Sequence, residues 1–116
     1  MTTAEQRLVR RAVAVARDKK ALDLVVLDVR GISSVADYFL VCSGRSTPHV
    51  QAITDTIREA LRGDGARLLH GEGMPESGWV LLDYGAVLVH VFREETRAYY
   101  ALERLWGDAP LVSLER

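Results

Sequence analysis

The chain has 116 residues, of which 48% are hydrophobic and 27% are charged, and its formal net charge at pH 7 is −1. These values are typical of one soluble globular domain over residues 1–116, with 107–116 as a tail that frays or docks loosely. They argue against a general nucleic-acid binder, and no apolar run approaches the roughly 20 residues that span a bilayer.

The distribution of charge and the cysteine content point to a compartment and to a kind of partner. The N-terminal segment lacks the apolar core of a signal peptide, and a single cysteine, Cys42, excludes an internal disulfide, so we expect a cytoplasmic protein. Residues 1–62 carry ten Lys/Arg and seven Asp/Glu, whereas residues 63–116 carry five and nine. The acidic second half favours a basic partner, although a solvated surface with a chance asymmetry gives the same counts.

The N-terminal segment predicts a helix. Thr3 and Gln6 form a capping-box signature at its start, and apolar residues recur on one side at helical spacing. The other side carries arginines and lysines, which form either an RNA contact or a solvated face. We favour the solvated face because no aromatic residue interleaves the charges. The apolar positions are Leu8, Val9, Ala12, Val13, Val15 and Ala16.

Two apolar segments, 24–29 and 37–43, predict buried strands. Thr47 then supplies an N-cap and Pro48 a first-turn proline for a second helix. This helix ends at Gly63, which suits the left-handed C-terminal position. Its buried stripe consists of Val50, Ile53, Ile57 and Leu61.

Beyond the second helix, residues 66–69 predict a short strand, and residues 70–78, with three glycines and a proline, predict a loop. Residues 79–92 predict a β-hairpin, and residues 93–106 predict a last helix with acidic residues in its first turn. The order αββαβββα predicts an α/β or α+β fold, in which helices pack on a mixed five-stranded sheet. The connection from the second strand to the third allows a right-handed crossover. The stripe of the last helix consists of Tyr99, Leu102 and Trp106.

The hairpin has two different faces. Gly85 suits the first central position of a type II′ turn, and a two-residue turn places Trp79 opposite Phe92. Asp83 and His90 are then diagonal neighbours within reach of each other. The aliphatic face, suited to the core, consists of Val80, Leu82, Tyr84, Val87, Val89 and Val91. The mixed face consists of Trp79, Leu81, Asp83, Leu88, His90 and Phe92.

The segment Ser43–Thr47 connects a strand to a helix N-terminus, and nucleotidyltransferases bind phosphate with a glycine-serine loop in this place. Those enzymes also need paired carboxylates that bind a catalytic metal. Here Asp28, Asp37 and Asp83 belong to three different strands. We therefore favour a capped tight turn, and a nucleotide- or phosphate-binding enzyme that uses Ser43–Thr47 is the alternative.

Asp83 and His90 can be interpreted as an acid–base pair. No nucleophile is placed beside them by the sequence, so we favour a structural pair or a partner-binding site. The histidines, at positions 49, 70 and 90, lack the spacing of metal ligands, so no metal or cofactor is expected. Trp79 and the aromatic residues of the last helix instead suit a protein interface, with core packing as the other interpretation.

At this point the ordered motifs of the chain resemble those of a known family. The chain carries Asp37-Tyr38-Phe39, Ser43-Gly44-x-Ser46, Glu72-Gly73, Trp79-x-x-x-Asp83-Tyr84-Gly85, His90-x-Phe92 and Arg97-x-x-Tyr100-x-Leu102-Glu103-x-Leu105-Trp106. This set spans residues 8–108 and is similar to that of the ribosomal silencing factor family, also called Iojap.

The resemblance implies a nucleotidyltransferase-like fold without the catalytic carboxylates, and a function that is not enzymatic. Members of the family bind the large ribosomal subunit through its protein fourteen. They block its association with the small subunit and repress translation under nutrient limitation. An RNA contact is secondary at most, a membrane partner is not implied, and whether the free protein is a homodimer stays open.

The partner-binding residues inferred from the motifs are acidic or aromatic, with one histidine. Ala86 stands where many members have aspartate, so binding is expected to be modestly altered if that group touches the ribosome. The inferred residues are Glu72, Trp79, Asp83, Tyr84, His90, Tyr100 and Glu103.

Overall fold

The computed structural model describes residues 3–34, 36–100 and 110–112, except for the side chains of residues 98–100. The predicted element order and the mixed sheet are confirmed. The helices are α1 (Ala4–Asp18), α2 (Thr47–Gly63) and α3 (Glu94–Tyr100). The strands are β1 (Leu22–Asp28), β2 (Tyr38–Gly44), β3 (His70–Met74), β4 (Trp79–Asp83) and β5 (Val87–Arg93).

The five strands lie in the order β1-β2-β5-β4-β3. β2 and β5 are parallel, and the other neighbouring pairs are antiparallel. β3 therefore runs parallel to β2 but is separated from it by β5 and β4. The central β2–β5 pair joins the two halves of the chain, so the hairpin lies in the middle of the sheet.

The hairpin has the predicted register. Trp79 opposes Phe92 and Leu81 opposes His90, and the Tyr84 amide donates to the Val87 carbonyl over 2.9 Å. Gly85 has a φ of +88°, the positive value that the turn requires.

Helices α1 and α2 cover the aliphatic face of the sheet. The predicted capping box of Thr3 and Gln6 is present at the start of α1. The predicted stripe of α2 is fully buried, and it packs with the buried side of α1 against strands β2, β4 and β5. The other face of the sheet has its own apolar cluster, which contains Phe39, Val41 and Phe92.

Helix α2 ends at Gly63 as predicted, but its N-cap and its left-handed C-terminal residue are wrong by one and two positions. The N-cap is Ser46, not Thr47: Ser46 has extended backbone angles and its hydroxyl accepts from the His49 amide over 3.2 Å. Thr47 is already helical because Pro48 fixes the first turn. At the other end the positive φ of +86° belongs to Gly65 and not to Gly63, which is the last helical residue.

The third strand is the largest error of the sequence analysis. Residues 66–69 were expected to form it and 70–78 to form a loop, but β3 comprises His70–Met74 and only a short 3₁₀ turn at Pro75–Ser77 separates it from β4. All five residues of β3 are exposed. An edge strand of this kind is held by backbone hydrogen bonds to one neighbour, so apolar alternation did not reveal it.

The C-terminal segment is described in part. α3 begins at Glu94, one residue later than predicted, because Arg93 still pairs with Gly44 at the end of β5. The predicted continuation to Trp106 lies outside the described residues. Residues 110–112 dock along β1, where the Asp28 amide donates to the Pro110 carbonyl over 2.9 Å. None of the described helices combines the length and apolar character needed to cross a bilayer.

Candidate protein-binding surface

Strands β3 and β4 together present an exposed surface on the sheet face opposite α1 and α2. Opposed residues of antiparallel strands project from the same face. The register therefore places each alternate β3 side chain beside one from the mixed face of the hairpin. We call this set the β3–β4 surface: His70, Glu72, Met74, Trp79, Leu81 and Asp83.

Trp79 is the aromatic centre of the β3–β4 surface. Its side chain is half-buried, and its ring stacks on Phe92 with centroids 5.2 Å apart and an interplanar angle of 19°. Its indole N–H donates to Nδ1 of His90 over 3.3 Å. One ring face and the N–H are thus fixed from inside the protein, which leaves a rigid aromatic residue at the surface.

His90 lies beneath the surface and holds Trp79 in place. Its residue is 5% exposed, and burial lowers the pKa of the imidazole to about 4, so the ring is neutral at pH 7. Because Nδ1 accepts from Trp79, the proton sits on Nε2, which has no partner among the residues described. The Phe39 ring packs against the imidazole with centroids 5.0 Å apart.

Asp83 and His90 do not form the structural or acid–base pair that was considered. Asp83 Oδ1 accepts from the Gly85 amide over 2.7 Å and so caps the hairpin turn. His90 bonds to Trp79 instead. The diagonal distance allowed the pairing, but a carboxylate two residues before a tight turn has a nearer donor in the turn amide. The half-buried Asp83 remains at the end of the surface.

An open groove of about 450 Å³ crosses the β3–β4 surface. Trp79 and Leu81 supply its apolar wall, and Glu72 lies at its exposed rim. Oε1 of Glu72 also lies 3.2 Å from Nε2 of His70. Met74, with 62% of its residue exposed, extends the apolar area beside Trp79. An aromatic and aliphatic centre with an acidic rim is the pattern of a site for a basic protein.

The inferred site residues do not all belong to this surface. Glu72, Trp79 and Asp83 lie on it and His90 lies beneath it, but Tyr84 projects to the helical side of the sheet and packs on that core. Burial raises the pKa of the Tyr84 phenol, and the nearby Arg58 opposes this shift. Of the two remaining residues, Tyr100 ends α3 with its side chain outside the description, and Glu103 lies outside the described residues.

Met74 and Leu81 belong to the surface and were not inferred as site residues. Leu81 lies on the predicted mixed face but carries no polar group that marks it as a site residue. Met74 falls in the segment predicted to be a loop. The signal that identifies it is the alternation of His70, Glu72 and Met74 with two glycines, which has the period of a strand.

The hydroxyls of Ser43–Thr47 are engaged within the protein. Ser43 is 1% exposed, and its Oγ accepts from Arg97 over 3.0 Å. Ser46 caps α2, and the Thr47 hydroxyl accepts from Arg93 over 3.2 Å. This is the capped turn that the sequence analysis favoured. In the described part of the chain, no group of three or more His, Cys, Asp or Glu side chains is arranged for a metal ion.

Comparisons with known proteins agree on one family. A family model described as "Ribosomal silencing factor during starvation" matches residues 2–116. The chain is 47% identical over 111 residues to a protein of Bacillus subtilis named ribosomal silencing factor RsfS, covering 96% of this chain and 94% of the relative. It is 33% identical over 99 residues to the chloroplastic protein Iojap of Zea mays, covering 85% of this chain and 43% of that protein.

A solved structure shows the same architecture. A crystal structure of a Bacillus halodurans protein superposes with a TM-score of 0.83 at 43% identity, and the alignment covers 94% of this chain and 99% of that one. At this similarity the two chains share one fold.

Proposed function

The chain belongs to the ribosomal silencing factor family, and on that premise we propose that it binds the large ribosomal subunit and blocks its association with the small subunit. The bound protein would act as a steric regulator that represses translation under nutrient limitation in the cytoplasm. Its contact would be protein fourteen of the large subunit. The family match over nearly the whole chain supports this function.

The β3–β4 surface is the part of the described structure that best suits this contact. Trp79 offers a large ring whose orientation is already fixed, so little conformational entropy is lost on binding. Glu72, Asp83 and the exposed Glu76 of the adjoining 3₁₀ turn give the surface a negative charge. These charges would steer the protein to a basic ribosomal protein and select against acidic ones.

His90 enters this proposal as a positioning residue. It is too buried to contact a partner directly, but its Nδ1 determines the plane of the Trp79 ring. We assign contact roles to Trp79, Glu72 and Asp83, and we add Met74 and Leu81 as the apolar neighbours of the indole.

The proposal is tested by mixing the protein with purified large subunits, sedimenting them, and then adding small subunits. We expect the protein to co-sediment and the yield of joined ribosomes to fall as its concentration rises. Absence of co-sedimentation, or unimpaired joining at saturating protein, would overturn the proposed function.

The nucleotidyltransferase-type alternative has no observation in its favour. The hydroxyls that it requires at Ser43–Thr47 accept hydrogen bonds from Arg93, from Arg97 and from the first turn of α2. The family is known by a regulatory name and not by a catalytic activity.

A further inference from the structure

Three arginines line one cavity on the helical side of the sheet. Arg58 and Arg62 lie one turn apart at the C-terminal end of α2, and Arg67 lies in the segment between α2 and β3. The cavity is about 360 Å³ and open to solvent, and the Tyr84 side chain forms part of its wall. We call this set the arginine cavity.

The guanidinium groups of the arginine cavity have no carboxylate partner among the residues described. No acidic side chain is among the described residues that line the cavity, and two carboxylates nearby have other partners. Asp64, which follows α2, forms an ion pair with Arg11 over 2.9 Å. Asp55, one turn before Arg58, accepts from the Gln51 amide over 2.8 Å. Three positive charges are therefore gathered in a cavity whose described lining contains no carboxylate.

The helix dipole accounts for only one of the three charges. Arg62 lies in the last turn of α2, where a cation is stabilised by the helix dipole. Arg58 lies further from the helix end and repels Arg62, because like charges four residues apart destabilise a helix by a few tenths of a kcal/mol. Arg67 lies outside the helix altogether. An external anion would offset this repulsion.

We propose that the arginine cavity binds the phosphodiester backbone of RNA. The choice of RNA over an acidic protein rests on the combination of guanidinium groups, which bind phosphate oxygens, with an aromatic ring on which a base or ribose can pack. Tyr84 supplies that ring beside Arg58. The pocket that Arg10 of α1 lines also contains Asp28, which pairs with Arg30. The arginine cavity, whose described lining holds no carboxylate, is therefore the stronger RNA site.

This inference rests on the proposed function for the identity of the RNA, which would be ribosomal RNA of the large subunit. Asp83 and Tyr84 are adjacent in the chain but project to opposite faces of the sheet. The β3–β4 surface and the arginine cavity therefore lie on different faces near the same end of β4. A protein contact and an RNA contact can thus be made at once.

The test compares three proteins: the wild type, the variant Arg58→Gln/Arg62→Gln/Arg67→Gln, and the matched control Arg10→Gln/Arg17→Gln/Lys19→Gln. The control removes two exposed charges from α1 and a third from its C-cap Lys19, and glutamine preserves the helix propensity. Affinity for purified large subunits is measured over a series of KCl concentrations, and affinity for protein-free large-subunit RNA is measured in parallel. Thermal melts establish that all three proteins are folded.

We expect the arginine-cavity variant to lose roughly tenfold or more in affinity for the subunit. Its plot of log affinity against log salt should be shallower by about 2 to 3, since each neutralised phosphate contributes about 0.7 to 0.9. It should also lose the salt-dependent binding to protein-free RNA, while the control keeps both.

The outcomes separate this inference from the proposed function. If the wild type binds subunits and the arginine-cavity variant binds them with the same salt slope, the RNA contact is overturned and the proposed function is left intact. Weaker subunit binding without any affinity for protein-free RNA would assign the cavity to an acidic protein and also overturn it. If the wild type does not bind subunits, the proposed function fails. Binding of the three proteins to protein-free RNA then decides the inference by itself.

Discussion

Trp79 donates its indole N–H to Nδ1 of His90, which lies on the neighbouring strand and beneath the surface. The pair joins the most exposed aromatic ring of the mixed face to its most buried polar side chain. A buried acceptor thus fixes the orientation of a half-exposed ring. The two residues are expected to affect different properties, with Trp79 acting on partner affinity and His90 on stability and on its pH dependence.

Replacement of Trp79 by alanine is expected to weaken large-subunit binding by about 30-fold or more, because truncated aromatic anchors cost about 2 kcal/mol or more at protein interfaces. Trp79→Phe keeps the stacking on Phe92 and should lose less affinity for the large subunit than Trp79→Ala. Co-sedimentation over a range of protein concentrations measures both. The control is Leu111→Ala, which removes a leucine whose residue is 68% exposed beside β1, at the opposite edge of the sheet. Equal losses in the Trp79 and Leu111 variants would contradict the placement of the site.

His90 is expected to make the protein less stable as the pH falls from about 7 to 5. Its folded pKa of about 4 lies below the unfolded value of 6.5, so between these values the unfolded chain binds one more proton than the folded chain. Stability from this group is present above pH 6.5 and is lost as the pH falls toward 4. The loss between pH 7 and pH 5 is about 2 kcal/mol, at about 1.4 kcal/mol per pH unit.

Urea unfolding at several pH values measures this effect. His90→Phe keeps an aromatic ring in the stack but cannot titrate, so the stability of the wild type relative to the variant should be constant above about pH 7 and fall by about 2 kcal/mol toward pH 5. The other two histidines and the carboxylates are common to both proteins and cancel in the comparison. Parallel pH profiles for the two proteins would show that His90 is not the titrating group.

The parts of the fold that the sequence predicts well are those determined locally. The hairpin register follows from two residues, Gly85 and Ala86, because a two-residue turn leaves a single pairing that keeps the aliphatic side chains on one face. The capping box of α1 and the stripe of α2 are likewise determined by residues within two or three turns of one another. Each of these predictions is confirmed.

The parts that failed depend on distant partners. β3 has no apolar alternation, since its strand character comes from pairing with β4. Gly73 has a φ of +80° and a Cβ there would clash with the Trp79 carbonyl, so this glycine, one of three that indicated a loop, is needed for close approach of the strands. The parallel pairing of β2 with β5 brings together residues nearly fifty positions apart. The candidate site was incomplete for the same reason, because Met74 joins Trp79 only through β3.

Gly44 is expected to tolerate no larger residue. A Cβ at this position would lie 2.9 Å from the Val50 amide nitrogen and 3.0 Å from a Val50 methyl group, at the junction of β2 and α2. Gly44→Ala should lower the free energy of unfolding by about 1 to 3 kcal/mol, the usual cost of overpacking. Gly63→Ala is the matched control, because a Cβ there meets nothing within 4 Å. It should be neutral or stabilising by about 0.5 to 1 kcal/mol. Equal urea midpoints for the two variants would contradict this.

Cys42 is expected to react with thiol reagents only when the protein opens. It lies in the central strand β2 with 0% of its residue exposed, and burial raises the pKa of its thiol to about 12. At pH 8 the thiolate is therefore rare and inaccessible in the folded state. Labelling by a disulfide reagent such as DTNB should follow the population of the open form, so its rate should rise with urea.

Gly44→Ala should accelerate labelling by about 5- to 150-fold, which corresponds to its expected destabilisation of about 1 to 3 kcal/mol. Gly63→Ala should leave the rate unchanged or lower it. Fast labelling in the absence of urea, at one rate in all three proteins, would mean that β2 is accessible without unfolding.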